Sequence, residues 1–167
     1  MKNLLFNITK RMPCRIINRD DDAPYLERYF IKELFGWRFY LHRFVNSDHA
    51  EEPHDHPWPK AYAFVITGGY WENRFNPMNG ELSQRFVHRF NKILGSDFHA
   101  IISPMPETWT LFCHGPRVKP WGFLKRTING KLWREDMTES SEGWEHEVPL
   151  GKDAPRQPLK NGAAPGK

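Results

Sequence analysis

From residue 25 onward, apolar and polar positions alternate over short runs broken by proline and glycine. That is the two-residue period of strands and not the roughly 3.6-residue period of helices. Residues 25–31 are rich in aromatic and β-branched side chains. Across 37–45, Phe39, Leu41, Arg43 and Val45 fall on one face, and Tyr40, His42 and Phe44 on the other. Residues 61–67 are almost continuously apolar, as a strand buried on both faces would be. Gly68 and Gly69 interrupt this run, and 70–75 resume it before a turn at Asn76-Pro77-Met78-Asn79-Gly80. A polar strand is predicted at 85–91. Two more strands, 98–103 and 108–114, flank the tight turn Pro104-Met105-Pro106-Glu107. A final hairpin, 121–127 and 131–135, turns at Asn129-Gly130, a strong two-residue hairpin signal.

The first residues read differently. Leu4, Leu5, Ile8 and Met12 have helical spacing and Pro13 would end a helix, so a short N-terminal helix is predicted. Asp20, Asp21, Asp22 and Pro24 form a turn cluster. About eight or nine strands, with a turn signal roughly every ten residues, predict an all-β sandwich or barrel. The expected layout is an N-terminal extension over 1–23, a single β-barrel over 24–147 and a disordered basic tail over 148–167.

The 14 prolines and 12 glycines agree with many turns. The net charge of +4 suggests nucleic acid until it is located. In the tail, Lys152, Arg156, Lys160 and Lys167 stand against Asp153 alone, which accounts for most of that excess. The remainder has no Lys/Arg run dense enough to follow a phosphate backbone, so no nucleic-acid partner is expected. No apolar run approaches the roughly 18 residues of a membrane span. Cys14 and Cys113 are far apart in sequence and in no Cys-x-x-Cys spacing, so the expected setting is a reducing cytoplasm.

The chemistry-bearing stretch is Pro53-His54-Asp55-His56-Pro57-Trp58-Pro59. Residues two apart in a strand project from one face, so His54 and His56 can share a metal ion. The flanking prolines stiffen the backbone that holds them. A third ligand is needed, and His99 at the head of the apolar run Phe98-His99-Ala100-Ile101-Ile102 is the leading candidate. His114 and His42 are weaker candidates, while His49, His88 and His146 sit in polar surroundings and read as surface. Glu72 would add a carboxylate if its strand folds back to the site, and the sequence leaves open whether Glu72 or His114 joins. Arg43 and Arg28 lie in aromatic-rich strands, where an inward-facing arginine needs an anionic partner. Arg43, Tyr62 and Trp109 are the candidate substrate-binding residues, with Trp58 a further aromatic at the cavity mouth.

The order His54-x-His56, a strand closing on Gly68, then a later histidine resembles the cupin superfamily, the RmlC-like jelly rolls. Gly95 and His99 correspond to its second motif. The acidic residue of the first motif is missing, because Lys60 or Ala61 falls there, and the Pro-x-Gly of the second is absent. The segments Tyr40-Leu41-His42-Arg43-Phe44, Gly68-Gly69-Tyr70, Trp109-Thr110-Leu111-Phe112 and Trp121-Gly122-Phe123 resemble a group of small bacterial and phage cupins, over roughly residues 24–136.

The resemblance implies an all-β double-stranded β-helix holding one divalent metal ion, Fe, Zn, Ni or Mn, on three histidines. It implies an Fe(II)-dependent oxygenase acting on a small anionic molecule. Two alternatives stand beside it: a non-catalytic metal-stabilised or ligand-sensing module, and a metal-free sugar isomerase or epimerase of the same fold using Tyr40, His42 and Asp55. A homodimer through exposed strand edges is a further family-level expectation.

Overall fold

The computed structural model describes residues 1–19, 22–46, 53–126, 128–130, 132–137 and 143–159. His49, most of the loop after strand 37–45, Asp20 and Asp21 of the turn cluster, and the tail from 160 lie outside the described residues. Helix α1 (Lys2–Ile8) passes into one 3-10 turn, Thr9–Arg11. Twelve strands follow among the described residues: β1 (Cys14–Asn18), β2 (Pro24–Leu34), β3 (Trp37–Phe44), β4 (His54–Asp55), β5 (Lys60–Thr67), β6 (Tyr70–Phe75), β7 (Leu82–Val87), β8 (Phe90–Leu94), β9 (Phe98–Ile102), β10 (Thr108–His114), β11 (Trp121–Arg126) and β12 (Leu132–Met137). No helix is long and apolar enough to cross a membrane.

The strands form two antiparallel sheets of six. One has the order β1-β2-β3-β10-β5-β8, the other β12-β11-β4-β9-β6-β7. Between β3 and β11 the chain passes to the other sheet at every step except β6 to β7, as in a jelly roll. Alternation sends Leu26, Tyr40, Phe44, Ala61, Ala63, Val65, Ile93 and Phe112 of the first sheet inward, where they pack with Trp58 and Tyr70. Gly68 makes the break before β6 at φ +79°, and a Cβ there would overlap Thr108.

Two expectations are corrected. The single polar strand at 85–91 is two strands, β7 and β8, broken at His88-Arg89; β7 is exposed at every position but Val87 and β8 at alternate ones, which blurred the break. Residues 1–23 are not separate from the barrel, since β1 pairs with β2 and extends the first sheet.

The tail, expected to lack structure from 148, is held as far as the described residues run. Pro13 and Leu150 form a bridge, and the Cys14 amide donates to the Pro149 carbonyl at 2.9 Å. The Gln157 amide donates to Glu27, and Arg156 lies 3.6 Å over the Phe6 ring. Composition suggested solvation here, but tertiary contacts with a covered sheet face prevail. Leu5, Phe6, Met12 and Ala154 cover Cys14, Tyr29, Leu41 and Trp109 on the outer face of the first sheet.

Candidate metal centre and its cavity

Strand β4 is confined to two residues because Pro53 and Pro57 have no amide hydrogens to continue a ladder. Their carbonyls are still used: Pro53 accepts from Leu124, and Pro57 from Val118 and Lys119. This fixes the segment from both sides. His54 stands directly opposite His99 in the β4–β9 pair. His56, two residues on, shares the face of His54, and the two rings lie 5.3 Å apart. The His54 and His56 rings lie 5.2 and 4.9 Å from that of His99. One nitrogen of each lies within 4.8 Å of the others, and Nε2 of His56 and Nε2 of His99 face each other at 2.6 Å.

His99 is fixed from behind. Glu72 sits opposite Ile101 in the β6–β9 pair, so it shares the face of His99 one step along. Its Oε1 accepts from Nδ1 of His99 at 2.7 Å, leaving Nε2 for the centre. Arg74 at 3.0 Å, Arg85 at 2.6 Å and Asn91 at 3.0 Å hold the same carboxylate. Burial opposes its ionisation, but the His99 bond and the Arg74 charge outweigh that and hold its pKa far below the ordinary range. Glu72 therefore joins the site behind His99, and not as the solvent-facing strand residue its polarity suggests.

Burial, helped by the neighbouring rings, pushes the His54 pKa down to about 3 and that of His56 well below its ordinary value. Both imidazoles are neutral at neutral pH, the form that offers a lone pair. Nδ1 of His56 is buried without a hydrogen-bond partner among the described residues. Three imidazoles meeting at one point, with no carboxylate among the three, form a donor set that fits a single Fe, Zn, Ni or Mn ion.

The histidines form one wall of a cavity of about 60 Å³. Trp58 and Trp121 lie against His56, at 5.0 and 4.8 Å between rings. The facing wall carries Arg28, His42 and Thr110. Nε of Arg28 donates to Nε2 of His42 at 3.1 Å. Burial and the Arg28 charge keep His42 neutral, and burial lowers the Arg28 pKa as well.

Of the residues expected to meet substrate, Arg43, Tyr62 and Trp109 are not brought to this cavity. Arg43 is 1% exposed on the outer face of β3, forked between Glu27 and Glu107 and donating to the carbonyls of Gln157 and Pro158. Trp109 pairs with Arg43 across β10 and stacks on Tyr29. Tyr62 stacks between Trp37 and Phe90. Strand parity explains all three, since their neighbours Phe44, Ala63 and Thr110 face inward. His114 lies beside the cavity and not in the cluster: Nδ1 donates to the Gly115 carbonyl at 2.7 Å, and its ring stacks on Trp58 at 3.9 Å. Asp55 points away from the histidines, bound by Lys119 and Arg134.

No protein-family model and no curated protein matches the chain. Solved structures do. Fe(II)-HppE with the alternative substrate (S)-1-HPP superposes with a TM-score of 0.50 at 10% identity, over 64% of this chain and 57% of that one. This chain thus corresponds to a little over half of that protein. A variant of the Bacillus subtilis oxalate decarboxylase gives a TM-score of 0.48 at 11% identity, over 74% of this chain and 30% of that one. KdgF from Halomonas sp. gives 0.42 at 14%, over 56% and 80%. At such identities the likeness is one of fold. Two sheets in jelly-roll order, a histidine pair on a short proline-bounded strand and a third histidine across from it give this chain the fold of the cupins.

Proposed function

We propose that the protein is a metal-dependent cupin in which His54, His56 and His99 hold one divalent ion, and that it is an Fe(II)-dependent oxygenase acting on a small anionic molecule. The observation that carries this reading is the histidine cluster, fixed from behind by Glu72 and lining one wall of a cavity. An Fe(II) ion bound there would supply a redox-active Lewis acid able to engage dioxygen and substrate together. The chain's own residues do the rest. Glu72 holds the proton on Nδ1 of His99 and aims the other nitrogen. Trp58 and Trp121 keep bulk water from the histidines. Arg28 puts a positive charge across the cavity from them.

The sensing-module reading would gain support from Asp55 or Trp58 filling the space before the histidines; Asp55 turns to Lys119 and Arg134, while Trp58 stacks on His56 at 5.0 Å and leaves the cavity beside it. The isomerase reading set on His42, Tyr40 and Asp55 requires a carboxylate beside His42, whereas the partner of His42 is Arg28 and Asp55 is held by Lys119 and Arg134. Both cysteines are free thiols, in keeping with a reducing cytoplasm.

The test is dioxygen uptake by Fe(II)-reconstituted protein offered a panel of small organic acids. Uptake that depends on one acid and is lost in His99→Ala supports the oxygenase. Full iron loading with no uptake on any acid leaves a metal-binding cupin without this activity.

A further inference from the structure

The wall facing the histidines has its own pattern. Arg28 stands opposite His42 in the β2–β3 pair, and His42 opposite Thr110 in the β3–β10 pair. The three therefore form one row across three adjacent strands, and all line the cavity. A guanidinium carries five N–H donors. Arg28 gives one to His42 and lies 5.5 Å over the Tyr40 ring. Among the described residues no carboxylate pairs with it. Those nearby are committed elsewhere: Glu72 behind His99, Glu27 and Glu107 to Arg43 on the outer face, Asp55 to Lys119 and Arg134. Two more polar groups of the same cavity are buried without partners among the described residues, Oγ1 of Thr110 and Nε1 of Trp58. Thr110 is 1% exposed and Trp58 5%. Leaving such groups unsatisfied is unfavourable, so each points to an acceptor that the chain itself does not supply.

We infer that this wall binds the carboxylate of a small organic acid, with Arg28 as its charge partner and Thr110 and Trp58 as further donors. The inference rests on reading this cavity as the substrate site and names the substrate class for it. The cavity is donor-rich and holds one uncompensated positive charge, which selects an anion. Its volume of about 60 Å³ corresponds to roughly two waters at about 30 Å³ each. Only an acid about as small as acetate fits, and a flat carboxylate matches the guanidinium fork. A tetrahedral phosphonate would fill most of the space with its own head group. One end of the acid then lies on Arg28 and the other toward His54, His56 and His99.

The test is titration of metal-free and Zn(II)-loaded protein with acetate, lactate, methylphosphonate and neutral acetamide, read by calorimetry and tryptophan fluorescence. Acetate is expected to bind about tenfold or more tightly than acetamide in both forms. Arg28→Gln removes that preference, and the nearly isosteric Thr110→Val weakens acetate roughly three- to tenfold with metal content unchanged. If Arg28→Gln does not fold, Thr110→Val decides alone. Equal binding of acetate and acetamide, wild-type affinity in the variants, or a preference for methylphosphonate overturns the assignment. Arg28-dependent acetate binding by a protein that takes up no metal would sink the metal reading and keep this one. Metal uptake with no acetate binding would do the reverse.

Discussion

Nδ1 of His99 donates to Oε1 of Glu72 at 2.7 Å, and this one bond decides which nitrogen His99 presents to His54 and His56. A neutral imidazole carries a single proton. Holding it on Nδ1 leaves the Nε2 lone pair directed at the centre, toward Nε2 of His56. Glu72 lies on a different strand from all three histidines, so the centre depends on the pairing of β6 with β9 as much as on its own ligands.

Replacing Glu72 should therefore weaken metal binding without removing a ligand. Glu72→Gln keeps an acceptor but loses the charge, and metal affinity is expected to fall about ten- to hundredfold. Competition against a chelator of known affinity measures this. Unchanged affinity would mean that Glu72 serves only Arg74, Arg85 and Asn91.

A metal held by folded but not unfolded protein must stabilise it. At about one hundred times its dissociation constant, Zn(II) should add roughly 2.7 kcal/mol, a rise in Tm of about 5–11 °C for a chain of this size. Thermal unfolding with and without metal checks this. The rise should vanish in His56→Ala.

Arg43 belongs to the architecture. Removing it would leave Glu27 and Glu107 buried without their cation, a loss of about 3–5 kcal/mol. Arg43→Met is expected to lower the denaturant midpoint accordingly while metal stoichiometry stays as in wild type. A stable Arg43→Met protein that has lost ligand binding would return this residue to the site.

Acid should weaken the fold in a defined window. Burial, with the nearby charges of Arg28 and Arg38, holds the His114 pKa at about 4 in the folded chain, against about 6.5 unfolded. The unfolded chain therefore binds the proton first. The stability is fully present above about pH 6.5 and is lost as pH falls toward 4, roughly 3 kcal/mol in all. Urea midpoints of wild type and His114→Gln at several pH values test this, and the variant should have the flatter profile.

Much of this was legible in the sequence. The strands, the Asn129-Gly130 hairpin and the Gly68 break follow from period-two patterning and turn chemistry. The histidine trio follows from His-x-His spacing and an apolar run bearing His99. What sequence could not supply was which face looks inward. Arg43 and His42 are adjacent in one alternating strand, and both faces carry aromatics because both are buried, one in the barrel and one beneath α1 and the tail. Parity therefore gave no choice between Arg43 and Arg28. The role of Glu72 depended on strand register, which one chain's pattern does not encode. Strand β1 was hidden because Pro13 ends the helical pattern immediately before it, within a segment read as an extension.

The central claim is that His54, His56 and His99 hold one metal ion, and elemental analysis of tag-free protein tests it most directly. Wild type, after incubation with Fe(II), Zn, Ni or Mn and removal of excess, should carry about one ion per chain, and the His54→Ala, His56→Ala double variant none. Metal-free wild type under all four conditions, or a double variant that loads as fully as wild type, would contradict the account.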